Sequence, residues 1–127
     1  MHELSMAENI VEIVSDIADR AGATRVEVVR LRIGALAGVV EDALRFGFEL
    51  AAAGTPLADA RLDITCVPVT IYCPHCRQAR TPVDAYQLRC AHCGTPSAEV
   101  VHGQELEIAS IDIADDATEK IADPMSA

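Results

Sequence analysis

The chain has 127 residues, half of them apolar and a quarter charged, with a net charge of −10, two Tyr, two Phe and no Trp. That length predicts one small domain, or one carrying a subdomain too small to bury a core of its own. So acidic a chain opposes the counterion release that drives nucleic-acid affinity, gains nothing at an anionic membrane and has few aromatic platforms for bases; neither nucleic acid nor membrane is expected as a partner.

No apolar stretch approaches the roughly 20 residues needed to span a bilayer. Residues 1–14 carry Glu3, Glu8 and Glu12 where a leader would be basic and then apolar. A cytoplasmic protein with an intact N-terminus is expected. Residues 5–20 read as a helix, with Met6, Ile10, Ile13, Val14 and Ile17 on one face, Ser5 and Glu8 as a candidate capping box, and Gly22 as a stop. RVEVVRLRIG, residues 25–34, reads as a strand in which Val29, Leu31 and Ile33 alternate with Arg30 and Arg32.

After a loop punctuated by Gly34 and Gly38, VVEDALRFGFELAAAGT returns to helical spacing through Val40, Leu44, Phe48 and Ala51. Glu41 and Asp42 sit early, where acids suit a helix start, and Gly54 sits at the end. ARLDITCVPVTIYC, residues 60–73, alternates through Leu62, Ile64 and Cys66, which makes Cys66 a small buried apolar residue. Pro68 breaks the phase and argues for an edge position or a bulge. QELEIASIDIA, residues 104–114, is a last strand, and the acidic tail beyond it is expected to be loose.

Each element has one apolar side to bury, which predicts an α+β fold: a small sheet of about three strands with two helices on one face, plus an inserted four-cysteine zinc-ribbon-like subdomain. The expected division is 1–69 with 100–114 as an α/β domain, 70–99 as the insert, and 115–127 as a flexible acidic tail.

The insert reads CPHCRQARTPVDAYQLRCAHC, with Cys73 and Cys76, then thirteen residues, then Cys90 and Cys93. Two C-x-x-C knuckles can each present two sulfurs to one tetrahedral ion. In a reducing compartment this spacing favours a structural four-cysteine zinc site over disulfides or a redox dithiol, with iron in a rubredoxin-like site as a further option. All four positions are sulfur, so the site is closed to hydrolytic chemistry. Four thiolates and Zn²⁺ leave a formal charge of about −2, which Arg77, Arg80 and Arg89, set against Asp84, are suited to compensate. His75 and His92, inside the knuckles, are not needed as ligands.

His2 directly follows the initiator methionine. It can offer its ring Nδ1, its backbone nitrogen and the amine of Met1 in fused chelate rings, with the backbone nitrogen or carboxylate of Glu3 completing a plane. Ionised amide nitrogens in a square plane suit Ni(II) or Cu(II), and affinity alone favours copper. From the residues alone, an ordinary terminal histidine is the better reading.

MHELS before an amphipathic helix, then VEVVRLRIGAL, VVEDALRFGFEL, the two-knuckle insert and LEIASIDI together resemble the HypA/HybF family of hydrogenase nickel-insertion accessory proteins. The resemblance runs to about residue 114. It implies a metallochaperone that binds one Ni²⁺ at its N-terminus and hands it to the nickel–iron hydrogenase large subunit, with a HypB-type GTPase as partner and, in some members, urease maturation as a second task. His2 resembles the family's essential nickel ligand, with the amine of Met1 and Glu3 contributing, and Cys73, Cys76, Cys90 and Cys93 match the holders of structural Zn²⁺.

The alternative is a zinc-ribbon interaction module that transports no metal; an electron carrier with iron at the four sulfurs is a third reading. An enzyme is not expected, because the sequence offers no nucleophile and base pair, no phosphate-cradling glycine loop and no open zinc position.

Overall fold

The structure is a computed structural model that describes residues 2–84 and 86–114. The acidic tail expected over 115–127 and the amine of Met1 lie outside the described residues. In chain order the elements are α1 (Glu3–Arg20), β1 (Arg25–Gly34), α2 (Glu41–Ala52), β2 (Arg61–Val67), β3 (Thr70–Cys73), β4 (Gln78–Arg80), β5 (Val100–His102) and β6 (Leu106–Ala114). Among the described residues two helices and two three-stranded sheets, ordered β2-β1-β6 and β4-β3-β5, make the fold α+β. Among the described residues no helix is long and apolar enough to cross a membrane.

Strand directions follow from the backbone bonds at the strand ends. Ala35, just past β1, donates to the carbonyl of Val67 at the end of β2, so the two strands run parallel and α2 forms the connection that parallel pairing demands. Thr24 donates to Ala114 and Gly34 to Glu105, so β6 runs antiparallel to β1. Within the smaller sheet β3 is central, pairing Tyr72 with Ala79 of β4 and Ile71 with Val100 of β5, both antiparallel.

The chain divides into two compact units. The first comprises the described parts of Met1–Leu31, Val39–Asp63 and Ile108–Ala127. Its core holds Val14 and Ala18 of α1, Val26 and Val29 of β1, Leu44 and Phe48 of α2, and Leu57. On its exposed side Arg30 donates to both carboxylate oxygens of Asp112 at 2.8 and 2.9 Å, a bidentate pair across β1 and β6.

The second unit, Arg32–Gly38 with Ile64–Glu107, buries Val67, Val69, Ile71, Cys73 and Cys90, and so draws in more chain than the 70–99 stretch alone. Gly34 is the tight point of this unit: a Cβ there would overlap the backbone of Gly103. Gly34→Ala is therefore expected to lower stability by about 3 kcal/mol, since backbone cannot step aside as a side chain can. The midpoint of urea unfolding measures it.

Several local expectations are corrected. α1 begins at Glu3, with His2 as N-cap and no side-chain cap, so Ser5 and Glu8 form no capping box. Ser5 already lies in the first turn, where its own backbone is helical, and the acidic Glu3 takes the start that favours negative charge. The buried stripe of α1 is Met6, Ala7, Ile10, Val11, Val14 and Ala18, which leaves Ile13 and Ile17 exposed; Val40, the N-cap of α2, is exposed too. Small alanines let the packing face rotate away from the bulkiest residues.

The strand expected over 60–73 is two strands, because Pro68 ends β2 at the sheet edge and β3 joins the other sheet. Cys66 is exposed, not buried: Val67 takes the inward position, so the alternation fails before the proline. Cys66 faces an open hollow of about 580 Å³ lined also by Val69, Pro82 and Val83.

Candidate metal centre

Two C-x-x-C turns build the cysteine cluster. In the first, the amide of Cys76 donates to Cys73 Sγ at 3.4 Å and that of Arg77 to the Cys73 carbonyl at 2.7 Å. In the second, Gly94 donates to the Cys90 carbonyl at 2.8 Å. Each turn closes on a left-handed residue, Gly94 at φ +77° and Arg77 at φ +57°. Glycine takes that conformation freely, whereas a side chain strains it by roughly 1–2 kcal/mol. Arg77→Gly is thus expected to stabilise the unit by about 1 kcal/mol, read from the denaturation midpoint.

The four sulfurs converge. Cys73 and Cys93 lie 3.5 Å apart, Cys76 and Cys93 3.7 Å, Cys76 and Cys90 3.9 Å, and all four Sγ atoms fall within 4.8 Å of one another. A tetrahedron with metal–sulfur bonds of about 2.3 Å has edges of about 3.8 Å, so the cage has the dimensions of a tetrathiolate zinc site. The four cysteines could hold a metal such as zinc, in a closed position with no fifth donor or water required.

The environment of the sulfurs is uneven. Cys73 and Cys90 are buried, while Cys93 is exposed. Thr95, with its hydroxyl 3.2 Å from Cys93 Sγ and its amide also donating, brings that thiol down to about 6. Desolvation pushes Cys76 up to about 11, against the pull of Arg80. A cation at the centre would displace the protons the sulfurs still hold, that of Cys76 above all, so metal loading releases protons.

The loop between the knuckles is held by Asp84, whose carboxylate accepts the amides of Tyr86 and Gln87, both at 2.7 Å. That acid is committed to a turn. Arg89 reaches the carbonyl of Gly94 at 3.3 Å, bracing the second knuckle. His75 and His92 are exposed. His102 lies at the other end of β5, where its Nδ1 is 3.0 Å from Glu105.

His2 and Glu3 belong to the first unit, apart in the chain from the cysteines. His2 is exposed, in extended conformation (φ −74°, ψ 139°), and its carbonyl accepts the amide of Met6 at 3.0 Å. Because α1 starts at Glu3, the amides of His2 and Glu3 precede the first intrahelical bond and have no helical acceptor. The Glu3 carboxylate accepts the amide of Val40 at 3.0 Å, which ties the start of α1 to the start of α2 and holds that carboxyl below its ordinary value. Sequence reasoning missed this link, since no local pattern relates residues 3 and 40. The knuckle turns carried a readable signal: the residue after each second cysteine must be left-handed, as Gly94 is.

An α+β chain of two helices and two small sheets, with a four-cysteine metal-binding site built from paired knuckles, is a small metal-handling protein. Over residues 1–113 it matches the family described as hydrogenase/urease nickel incorporation, metallochaperone, hypA, and it belongs to that family. It is 54% identical over 112 residues to the hydrogenase maturation factor HypA of Chloroflexus aggregans, covering 88% of this chain and 98% of the relative. To the HypA of a Roseiflexus species it is 48% identical over 122 residues, covering 96% and 99%. The solution structure of the Ni metallochaperone HypA from Helicobacter pylori shares the fold, with a TM-score of 0.64 at 23% identity over 91% of this chain and 99% of that one. A further HypA solution structure gives a TM-score of 0.68 at 23% identity.

Proposed function

We propose that this chain is a cytoplasmic nickel carrier, binding Ni²⁺ at its N-terminus and delivering it to the large subunit of a nickel–iron hydrogenase during maturation. Membership of the nickel-incorporation family supports the task. The observation that carries the site is the exposed His2 at the N-cap of α1, with first-turn amides that owe nothing to the helix ladder. An amide nitrogen there can lose its proton to a metal without breaking a helical bond. The amine of Met1, the backbone nitrogen and Nδ1 of His2, and a donor from Glu3 make up a square-planar set suited to Ni²⁺.

Few protein ligands at a chain end allow the cargo to leave, which a carrier requires as much as selectivity. Proton competition for the amine and imidazole makes affinity fall on acidification. Zn²⁺ held by Cys73, Cys76, Cys90 and Cys93 supplies cross-linking of the two knuckles rather than reactivity. A HypB-type GTPase and, as a second client, urease maturation belong to the same proposal.

The test is a nickel titration of the untagged chain beside one extended at its N-terminus. The extension, which replaces the amine by an amide, should abolish one-to-one nickel binding. Equal binding by both would refute the N-terminal site, and binding by neither would leave the zinc-ribbon interaction module.

A further inference from the structure

The outer face of the helix pair carries an apolar patch that the fold itself does not use. On α2, residues 43, 46, 47 and 50 fall at the three- and four-residue spacing of one helical face. Gly47 of this stripe is buried under α1: a Cβ there would come 3.2 Å from Leu4 Cα and 3.4 Å from Ala7 Cβ. Leu4 therefore lies over the stripe, yet is 47% exposed, and Phe46 and Leu50 are 63% and 56% exposed. Three large apolar side chains thus stand in water around the helix crossing. The crossing lies at the turn that carries His2 and Glu3, since the Glu3 carbonyl is also within 3.5 Å of that Cβ position.

The charge around the patch is of one sign. Glu8 of α1 and Asp42 and Glu49 of α2 are exposed and make no ion pair among the described residues. The two arginines of the helices are both engaged, Arg20 with Asp16 at 3.1 Å and Arg45 with Glu41 at 3.0 Å. Arg45 is further turned away by its bond to the Leu62 carbonyl at 2.7 Å. A second copy of this chain would bring like charges together, in a molecule whose net charge is already −10. A segment with apolar side chains between lysines or arginines would meet both the patch and its rim.

We propose that Leu4, Phe46 and Leu50 form the docking surface for an apolar, basic-flanked segment of a partner protein. The purpose of that docking rests on the nickel reading above: it holds the partner beside the turn that bears His2, so that cargo passes over a short distance. The surface itself is independent of nickel.

The test uses the full chain, ¹⁵N-labelled and holding its zinc, titrated with a helical leucine–lysine peptide and with a twin in which every lysine is glutamate. The lysine peptide should shift the amides of Leu4, Phe46, Gly47 and Leu50 but not those of Ile13 and Ile17, and should weaken as salt is added. Phe46→Ser with Leu50→Ser should weaken it about tenfold or more. Asp42→Lys with Glu49→Lys, which leaves the apolar residues in place, should weaken it too and admit the glutamate twin. Shifts elsewhere, equal binding of the twin to the unaltered chain, or a concentration-dependent dimer abolished by the serine pair would each overturn the proposal.

Nickel separates this from the carrier reading. His2→Ala should leave peptide binding unchanged, and the serine pair should leave nickel binding unchanged. Peptide docking without N-terminal nickel refutes the carrier reading alone; nickel binding without docking refutes the surface alone.

Discussion

Cys90→Ser together with Cys93→Ser is expected to leave the chain unable to hold zinc and to unfold the second unit. Each serine removes a sulfur from a cage in which three edges, 3.5 to 3.9 Å, match those of a tetrathiolate site. Little else holds the knuckles: β4 has three residues, and the loop beyond it is braced on itself by the isolated bridges Pro82–Cys90 and Arg89–Pro96 and tied to β3 by the bonds of Tyr72 with Ser97 and Glu99. Structural zinc supplies roughly 10 kcal/mol or more of folding free energy at such sites, far above what those bridges contribute. Metal analysis should fall from about one zinc per chain to none. Hydrogen exchange should show the amides of Arg77, Ala91 and Gly94 losing protection while those in the middle of α1 and α2 keep it. Zinc retained at one per chain would refute the four-sulfur site.

His2→Ala is expected to remove nickel and leave zinc. In the proposed nickel site the imidazole closes the chelate, so affinity should drop by more than the roughly 10–100-fold that follows loss of a mere outer partner of a metal ligand. The side chain is exposed and makes no cap bond, so the helix should not notice. Glu3 is the informative comparison. Its carboxylate is engaged with the amide of Val40, so Glu3→Gln, which keeps an acceptor oxygen there, should retain the helix tie. Retained nickel binding in that variant would assign the Glu3 contribution to its backbone nitrogen, and lost binding to its carboxylate.

Acid adds a second readout on the same residue. The bonds to Val40 and to its own amide lower the Glu3 carboxyl from its ordinary 4.5. The charged form is thus favoured by folding. Its stabilisation is fully present above about 4.5, is lost as pH falls through the lowered value, and should be missing from the pH profile of Glu3→Gln. Denaturation midpoints collected down through that range check the sign.

The four-cysteine cluster was legible because it is local. A C-x-x-C spacing dictates a turn whatever surrounds it, and two such turns separated by thirteen residues leave one arrangement that brings four sulfurs together. The strand over 25–34 and the helix stop at Gly22 were equally local, one set by β-branched alternation and the other by a residue able to take φ +75°. Burial was less legible. Ile13 and Ile17 fit the helical period as well as Val11 and Ala18 do, yet the packing face runs through the alanines. Periodicity says that a helix has a side, but the neighbour it meets says which side. Cys66 shows the same limit in a strand, where Val67 took the inward position.

By itself the sequence determined which backbone turns could form and which atoms could meet a soft metal, since both depend on residue type at short spacing. Only the tertiary structure decided where α1 starts, that the Glu3 carboxylate spends itself on Val40, and that Leu4, Phe46 and Leu50 are left in water around Gly47. Those outcomes turn on residues some 40 positions apart competing for the same space and the same hydrogen bonds, and no local pattern ranks such competitors.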